Sequence, residues 1–226
     1  MAFNLKFLLF AAFATACVAK NTNTVASDTP SVSNAREEVV AVSDTSKLET
    51  ATLAGGCFWK MDASYQQLRG VTKVDVGYAG GTTKNPTYED VSSRTTGHAE
   101  TVQVVFDPKV VSYREILEVF WTIHDATVLY QEGNDLGNDY RSAIFYRSDA
   151  QKKMAEIVKD SLDKIHFYPS PIVTAIEPFK NFYRAEQYHQ NYYNMHPNEG
   201  YTYNVVRKKE EHFEKVYAAK LKKKVK

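Results

Sequence analysis

The feature that most limits the fold of this chain is an alternation of strand-like and helix-like segments that begins at Leu48. In residues 71–81 and 98–108, apolar side chains recur at every second position, which is the period of a half-buried strand. In residues 57–68 they recur at three and four positions, which is the period of a helix. Because the strands are few and their connections vary, the sequence predicts one two-layer α+β domain with a mixed sheet.

Turn residues divide the rest of this region into further elements. Strands are predicted at residues 48–56, 141–146 and 171–179, and helices at residues 112–125, 149–165 and 186–194. Ser112 followed by Glu115 has the spacing of a capping box, which predicts where the first of these helices starts. Residues 82–97 and 131–140 are polar and contain glycine, so they are predicted to be loops.

The N-terminal segment differs from the domain in composition. Residues 7–16 (FLLFAAFATA) form an apolar run after a short basic start, which is typical of a secretory signal and too short to span a bilayer. We therefore predict a signal peptide at residues 1–19 and a flexible, polar linker at residues 20–47. The protein is expected to be exported to the periplasm or cell envelope, or else secreted.

The N-terminal cysteine leaves two alternatives open. The stretch ATAC resembles a bacterial lipoprotein cleavage site, so Cys17 either becomes a lipid anchor or is removed with the signal. In both cases Cys57 is the one cysteine left in the folded domain, and an internal disulfide there is excluded. Because exported proteins tend to pair their cysteines, an odd thiol of this kind indicates reactivity.

Charge and histidine spacing argue against other kinds of partner. The formal net charge of +1 gives no reason to expect nucleic acid. His98, His189 and His196 lack the spacing of zinc ligands, so no metal site is predicted. The basic tail, residues 207–226, is predicted to be an exposed helix. A solvated charged face is favoured there over contact with an anionic membrane.

The surroundings of Cys57 are those of a candidate nucleophile. Gly55 and Gly56 allow a sharp turn in front of it, and the following helix would offer unpaired N–H groups that favour a thiolate. Lys60, on the next turn, would add positive potential. A lone cysteine is also commonly buried and inert, and local sequence alone leaves both interpretations open.

Four polar residues in or beside loops could assist such a nucleophile. They are a carboxylic acid at the start of a strand, two phenols and a second carboxylate: Glu100, Tyr88, Tyr140 and Asp135. A thiolate with proton donors suits nucleophilic and acid–base chemistry. Spacing alone does not bring them together, and each alone is equally a surface or turn residue.

Six stretches follow one another in the order and spacing of a known family: GGCFW, GYAGG, NPTYEDV, TGHAETVQVVFDP, FWTIHD and GNDLGNDYRSAIFY. Together they resemble the methionine sulfoxide reductase A family over residues 50–197. The resemblance implies an α+β two-layer sandwich with a mixed, ferredoxin-like sheet core. It also implies reduction of methionine-(S)-sulfoxide, free or in proteins, to methionine.

The resemblance assigns catalytic roles to five residues. Cys57 matches the nucleophile that attacks the sulfoxide sulfur, and Glu100 matches the acid that protonates the departing oxygen. Tyr88 and Tyr140 match phenols that bind that oxygen, and Asp135 matches a carboxylate that orders the site. Burial among aromatic side chains would keep Glu100 protonated for this role.

Further residues are expected to bind substrate. Phe58 and Trp59 match the apolar pocket for the substrate's S-methyl group. His98, next to the acid's strand, is a further candidate, and Tyr188 and His189 are placed at the entrance, where a packing role is the alternative.

The chain departs from the family pattern in two places. Lys60 follows GCFW where glycine is common, and the C-terminal region lacks the recycling cysteine of many members. Turnover would then need an external dithiol such as thioredoxin and no bound cofactor. The expected partners are this reductant and oxidised proteins or free methionine sulfoxide, with a monomer as the default state.

Two other functions remain as alternatives. A cysteine hydrolase or acyltransferase would need an imidazole within reach of Cys57. A non-catalytic protein that binds methionine sulfoxide would be expected to lack Cys57 or Glu100, and both are present.

Overall fold

The computed structural model describes residues 48–223. The predicted signal peptide and linker, with the last three residues of the tail, lie outside this range. The strands are β1 (Glu49–Ala54), β2 (Val71–Ala79), β3 (Ala99–Phe106), β4 (Gln131–Glu132), β5 (Asp135–Leu136), β6 (Ala143–Tyr146), β7 (Ala175–Pro178) and β8 (Phe182–Arg184). The α-helices are α1 (Phe58–Gln66), α2 (Tyr88–Ser92), α3 (Tyr113–Ile123), α4 (Asp149–Lys164), α5 (Tyr192–Met195) and α6 (Arg207–Tyr217).

A six-stranded mixed sheet forms the centre of the domain, with strand order β7-β6-β1-β3-β2-β8. All neighbours are antiparallel except β6 and β7, which are parallel. The inner order β6-β1-β3-β2, with α1 after β1 and α3 after β3, is the βαββαβ arrangement of ferredoxin-like sheets. The predicted α+β fold with a mixed sheet is confirmed.

Helices α1 and α3 bury their apolar faces in the core. Helix α1 packs against β2 and β3, and its Met61 and Tyr65 are fully buried. Helix α3 packs against β1 and α4 through Ile116 and Phe120, which are also fully buried. Each such side chain contributes about 1.5–3 kcal/mol relative to exposure, so these contacts hold the helices onto the sheet.

The predicted start of α3 is confirmed in detail. The Ser112 side chain accepts a hydrogen bond from the backbone N–H of Glu115, and the Glu115 carboxylate accepts one from the backbone N–H of Ser112. Two N–H groups that the helix itself cannot satisfy are thereby paired.

The loops contain more structure than the sequence predicts. Helix α2 forms within residues 82–97, where Thr87 and Asp90 make a second capping box, and β4 and β5 form a small hairpin within residues 131–140. The predicted helix at residues 186–194 is instead a 3₁₀ turn (Gln187–His189) followed by the short α5. Asn191 separates these two pieces because it adopts a left-handed conformation (φ 56°), which a continuous helix does not allow.

The C-terminal helix α6 is not the exposed helix expected from its sequence. Glu210, Phe213 and Tyr217 lie on one face of α6 and are buried. Past the helix, Leu221 forms an antiparallel bridge with Leu68 at the end of α1. The many charged residues of the tail conceal this apolar face in the sequence, although the three residues have helical spacing.

Among residues 48–223, no helix is both long enough and apolar enough to cross a bilayer.

Candidate active site

Cys57 lies at the junction of β1 and α1, where it is the N-cap residue of the helix. Gly56 makes the turn with φ +75°, a conformation that favours glycine. A Cβ at Gly56 would lie 2.2 Å from Cγ of Glu132, so the turn also packs closely on the β4–β5 hairpin. The thiol is buried, with 6% of the residue exposed.

The free protein holds Cys57 as a thiol. Burial raises its pKa to about 12, and the neighbouring Glu100 carboxylate acts in the same direction. A hydrogen bond from Tyr201, the backbone N–H of Trp59 and the charge of Lys60 oppose this shift without overcoming it. The helix N-terminus and Lys60 favour the thiolate in the expected direction, but burial outweighs them in the free protein.

Glu100 reaches the first turn of α1 from strand β3. Its Oε2 accepts a hydrogen bond from the backbone N–H of Phe58 at 2.9 Å, and the residue is 4% exposed. Burial raises its pKa to about 8, the Phe58 N–H lowers it, and the charges of Asp139 and Asp135 raise it further. Glu100 is consequently protonated at neutral pH. Because it bonds the residue next to Cys57, it can donate a proton to a group bound at the thiol.

Tyr88 and Tyr140 lie near Glu100 and Cys57. Burial raises the pKa of both phenols, and the charges of Glu100 and Cys57 raise them further. The backbone N–H of Tyr88 donates to Glu186 at 2.9 Å, which fixes the start of α2. Both phenols therefore remain neutral hydrogen-bond donors beside the acid and the thiol.

Asp135 joins the site through a residue that the sequence analysis did not identify. The Tyr201 hydroxyl lies 2.5 Å from Asp135 Oδ2, to which it donates, and it is also hydrogen-bonded to Cys57. Tyr201 follows Gly200 in a stretch without a predicted element, and no local pattern distinguishes it. A second missed residue, Asp139, is buried and raises the pKa of Glu100.

Aromatic side chains form one wall of the site. Phe58 is 1% exposed, and its ring centroid lies 5.1 Å from that of His189. Trp59 stacks on Tyr192, with centroids 3.8 Å apart and planes at 7°. Tyr188 is 54% exposed and contacts His189 from outside, at a centroid distance of 4.1 Å. This wall suits a small apolar group such as a thioether methyl.

His189 has one ring nitrogen engaged and one available. Nδ1 accepts a hydrogen bond from Nε1 of Trp59 at 3.2 Å, so the neutral ring carries its proton on Nε2. Burial lowers the pKa of His189, which favours this neutral form. The buried Nε2 has no hydrogen-bond partner among the described residues, which leaves it available as a donor.

His98, a predicted substrate-binding residue, has both ring nitrogens engaged within the protein. Its Nδ1 accepts from the backbone N–H of Gly81 at 3.1 Å, and its Nε2 bonds the carbonyl of Thr83 at 2.8 Å. Both nitrogens are thus used to hold the loop after β2. His124 is similarly engaged with Phe120 and Ser142, so neither histidine has a nitrogen left for a cysteine–histidine dyad.

Residues 48–223 contain no group of three or more histidine, cysteine, aspartate or glutamate side chains placed to hold a metal ion. Within the same range, Cys57 is the one free cysteine.

Known proteins are similar to this chain in sequence and fold. Residues 49–221 match the family described as peptide methionine sulfoxide reductase. The chain is 52% identical to peptide methionine sulfoxide reductase MsrA of Polynucleobacter asymbioticus, over 70% of this chain and 84% of that protein. It is 53% identical to the protein of the same name from Leptospira borgpetersenii, over 72% of this chain and 91% of that protein.

A solved structure agrees with the sequence relatives. Reduced Mxr1 from Saccharomyces cerevisiae superposes with a TM-score of 0.65 at 36% identity, covering 69% of this chain and 90% of that one. With the family match extending from the start of β1 to Leu221, past the end of α6, the chain belongs to the peptide methionine sulfoxide reductase family.

Proposed function

We propose that this protein reduces methionine-(S)-sulfoxide, free or in oxidised proteins, and so repairs oxidative damage. The observation that carries the proposal is the pairing of a buried thiol with a buried, protonated carboxylic acid at one helix N-terminus. Glu100 accepts from the N–H of Phe58, the residue after Cys57, so acid and nucleophile are fixed relative to each other. A sulfoxide needs both, because its oxygen leaves only after protonation.

The proposed reaction begins with attack of the Cys57 thiolate on the sulfoxide sulfur. Glu100 gives its proton to the sulfoxide oxygen, and the neutral phenols of Tyr88 and Tyr140 hydrogen-bond that oxygen as charge develops on it. The protonated oxygen leaves the substrate sulfur and bonds to the Cys57 sulfur as the S–S bond formed by the attack breaks, which gives methionine and a Cys57 sulfenic acid. Methionine sulfur is reduced by two electrons and cysteine sulfur is oxidised by two.

The aromatic wall accounts for substrate binding. The rings of Phe58 and Trp59 would receive the S-methyl group, with Trp59 held in place by Tyr192 and His189. Tyr188, at the outside of this wall, would contact the polypeptide around the oxidised methionine. Asp135 would order the site through its hydrogen bond with Tyr201.

Turnover would require an external thiol. A reductant thiolate attacks the Cys57 sulfenic acid, water is released, and a mixed disulfide forms, which a second thiol of the same reductant resolves. Since residues 48–223 contain no second cysteine, a dithiol protein of the thioredoxin type is the proposed reductant, with no bound cofactor.

We further propose that residues 1–19 direct export and that the enzyme acts in the periplasm or cell envelope, or outside the cell. The apolar run before Cys17 supports export, and the stretch ATAC supports a lipid anchor. Labelling with a radioactive fatty acid in wild type and Cys17→Ala separates an anchored protein from a cleaved, secreted one.

A single-turnover experiment tests the proposed activity. Wild type without reductant should convert one equivalent of a peptide containing methionine-(S)-sulfoxide, with a sulfenic acid trapped on Cys57 by dimedone. Cys57→Ser should convert none, and the (R)-sulfoxide peptide should remain unchanged with wild type. Folded wild type that yields no methionine would contradict the proposal and favour a binding protein.

A further inference from the structure

A buried charged cluster next to Cys57 has no role in the reaction proposed above. Lys60, in α1, places its Nζ 2.6 Å from Oε1 of Glu132 in the β4–β5 hairpin. Lys209, in α6, places its own Nζ 2.6 Å from the same oxygen. Lys60 and Glu132 are 3% and 5% exposed, whereas the Lys209 side chain is 41% exposed. Three separate elements thus contribute one charge each to this cluster.

The charges in this cluster do not cancel. The other oxygen of Glu132 accepts the backbone N–H of Asp125 at 2.9 Å, so the carboxylate is fully engaged. Burial would raise the pKa of Glu132, but the charges of Lys60 and Lys209 bring it down to about 2, and it remains ionised. Two ammonium groups share one carboxylate, which leaves a formal net charge of +1, although the Lys209 side chain is 41% exposed and therefore solvated. The shared carboxylate neutralises the buried Lys60 only in part, and a second anion beside Lys60 would complete the neutralisation.

Nearby acidic and basic groups do not supply that anion. Glu210, on α6, bonds Ser64 Oγ at 2.5 Å while Ser64 bonds the carbonyl of Lys60. Ser64 Oγ and Gln67 Nε2 donate to the Glu210 carboxyl group, and burial raises its pKa to about 8, so Glu210 is mostly uncharged at neutral pH. His124 also lies near the cluster, and burial lowers its pKa to about 4, which leaves it neutral.

Cys57 is the group in position to balance the excess charge. Cys57 and Lys60 are three residues apart on one helix, which puts them on the same face, and both are buried. The Glu132 side chain packs against Gly56, directly before the cysteine. Burial lowers the pKa of Lys60, and the charges of Glu132 and Cys57 oppose that shift; the charge of Lys60 in turn lowers the pKa of Cys57. The remaining groups that face the thiol are Glu100, Tyr201, Tyr88 and Tyr140, and none of them is a cation.

We propose that Lys60 is a positioning residue whose ammonium group, held by Glu132, supplies the counter-charge for the Cys57 thiolate. The inference rests on the proposed function for its purpose, since the thiolate is the form that attacks the sulfoxide. When the thiol loses its proton to solvent, the buried Lys60 ammonium group faces two anions, Glu132 and the thiolate, while Lys209 stays in contact with solvent. The cluster thereby offsets part of the burial that otherwise keeps Cys57 protonated.

Alkylation of Cys57 by iodoacetamide tests this without any sulfoxide. The rate at a fixed pH follows the thiolate fraction. Lys60→Met removes the charge but keeps the length of the side chain, and it leaves the Glu132–Lys209 pair intact. We expect alkylation at pH 8 to be about tenfold slower, the effect of a pKa raised by about one unit. Lys209→Met removes the other cation of the same carboxylate and should change the rate less than about twofold.

The pH profile separates charge from structure. On the plateau above the thiol pKa a displaced helix still changes the rate, whereas loss of the counter-charge leaves the plateau rate unchanged and moves the rising limb of the profile to higher pH. Thermal unfolding monitors folding of each variant. If Lys60→Met does not fold, Lys60→Gln, which can still donate to Glu132, replaces it in the same measurement.

Two results would overturn the inference. One is an unchanged profile in a folded Lys60 variant, and the other is an equal shift in the Lys60 and Lys209 variants. Either can occur while single-turnover reduction by wild type succeeds, so this inference and the proposed function fail separately. If the Lys60 variants show the expected alkylation profile but wild type reduces no sulfoxide, the role of Lys60 stands and the proposed reductase activity is rejected.

Discussion

At the scale of single residues, burial shifts the pKa of both reacting groups of the site. Burial raises the pKa of Cys57 to about 12 and that of Glu100 to about 8. The acid is therefore ready at neutral pH, while the nucleophile is not. The free site holds two protons where the reaction needs one, and attack requires that the thiol proton leaves while the carboxylic proton stays.

Glu100→Gln keeps the size of the side chain but removes the proton that the sulfoxide oxygen needs. Single-turnover reduction should fall by about 10²–10⁴-fold, as for other losses of a general acid. In wild type the rate should rise with pH up to about 8 and then level off, because Glu100 ionises there while the thiolate fraction of Cys57 keeps growing. Rapid-quench rates across pH check both points. The same levelling-off in Glu100→Gln would assign it to another group.

Tyr201→Phe removes the hydroxyl that bonds both Asp135 and Cys57. Since this hydrogen bond lowers the pKa of the thiol, alkylation of Cys57 at pH 8 should slow by about threefold to tenfold. Tyr203→Phe alters an exposed phenol two residues away and serves as the control. Equal rates in all three proteins would show that Tyr201 does not act on the thiol.

The residues that could be predicted are those with a local signal. Cys57 follows two glycines and precedes a helix, and Glu100 lies in a recognisable block. Tyr201 could not be predicted, because its bond to Asp135 joins positions 66 residues apart. The sequence places His98 beside the acid and so indicates a substrate-binding role. Its hydrogen bonds to the loop after β2 depend on tertiary structure, which the sequence pattern does not contain.

At the scale of elements, the turn between β1 and α1 is the most constrained connection. Gly56→Ala would place a methyl group 2.2 Å from Glu132 Cγ in a backbone conformation that disfavours alanine. We expect a loss of about 2–4 kcal/mol in the free energy of unfolding and slower alkylation of Cys57. Urea unfolding and iodoacetamide rates measure these two effects.

Gly133→Ala is the matched control for this turn. Gly133 has a similar φ of +62°, but a Cβ there meets nothing within 4 Å. The backbone penalty alone, about 1 kcal/mol, should remain, and the thiol should react as in wild type. Equal losses in the two variants would attribute the effect at Gly56 to backbone strain rather than to contact with Glu132.

Sequence predicts elements well where caps and periodicity agree. Helix α3 begins where Ser112 and Glu115 indicate, because both hydrogen bonds of the capping box are local. The segment after residue 186 has helical composition but is interrupted at Asn191, whose N–H donates to Asp62 in α1 at 3.0 Å. That contact depends on tertiary packing, which a local pattern does not contain.

At the scale of the whole molecule, buried carboxyl groups link stability to pH. Burial raises the pKa of Asp62 to about 6 and of Glu100 and Glu210 to about 8. Their unfolded forms ionise near pH 4, so the stability that they contribute is complete below that value. It is lost as pH rises toward 8.

Glu210→Gln isolates the contribution of Glu210 to the pH dependence of stability. Glutamine keeps an oxygen that accepts from Ser64 or Gln67, but it does not ionise. At pH 5 the variant should match wild type, and at pH 8.5 it should be more stable by about 2 kcal/mol. Thermal unfolding at the two pH values measures the difference. A variant less stable than wild type at pH 8.5 would show that Glu210 is ionised in the folded protein.

The sharing of Glu132 by two lysines also constrains the order in which this arrangement could arise. Lys60 in the absence of Glu132 would be a buried charge without a partner, which destabilises a fold by several kcal/mol. Glu132 with Lys209 alone forms an acceptable pair, because the Lys209 side chain is partly exposed. A lineage that preserves a folded protein at each step therefore gains Glu132 and Lys209 first and Lys60 last. Loss of Glu132 would then destabilise the fold for as long as Lys60 remains.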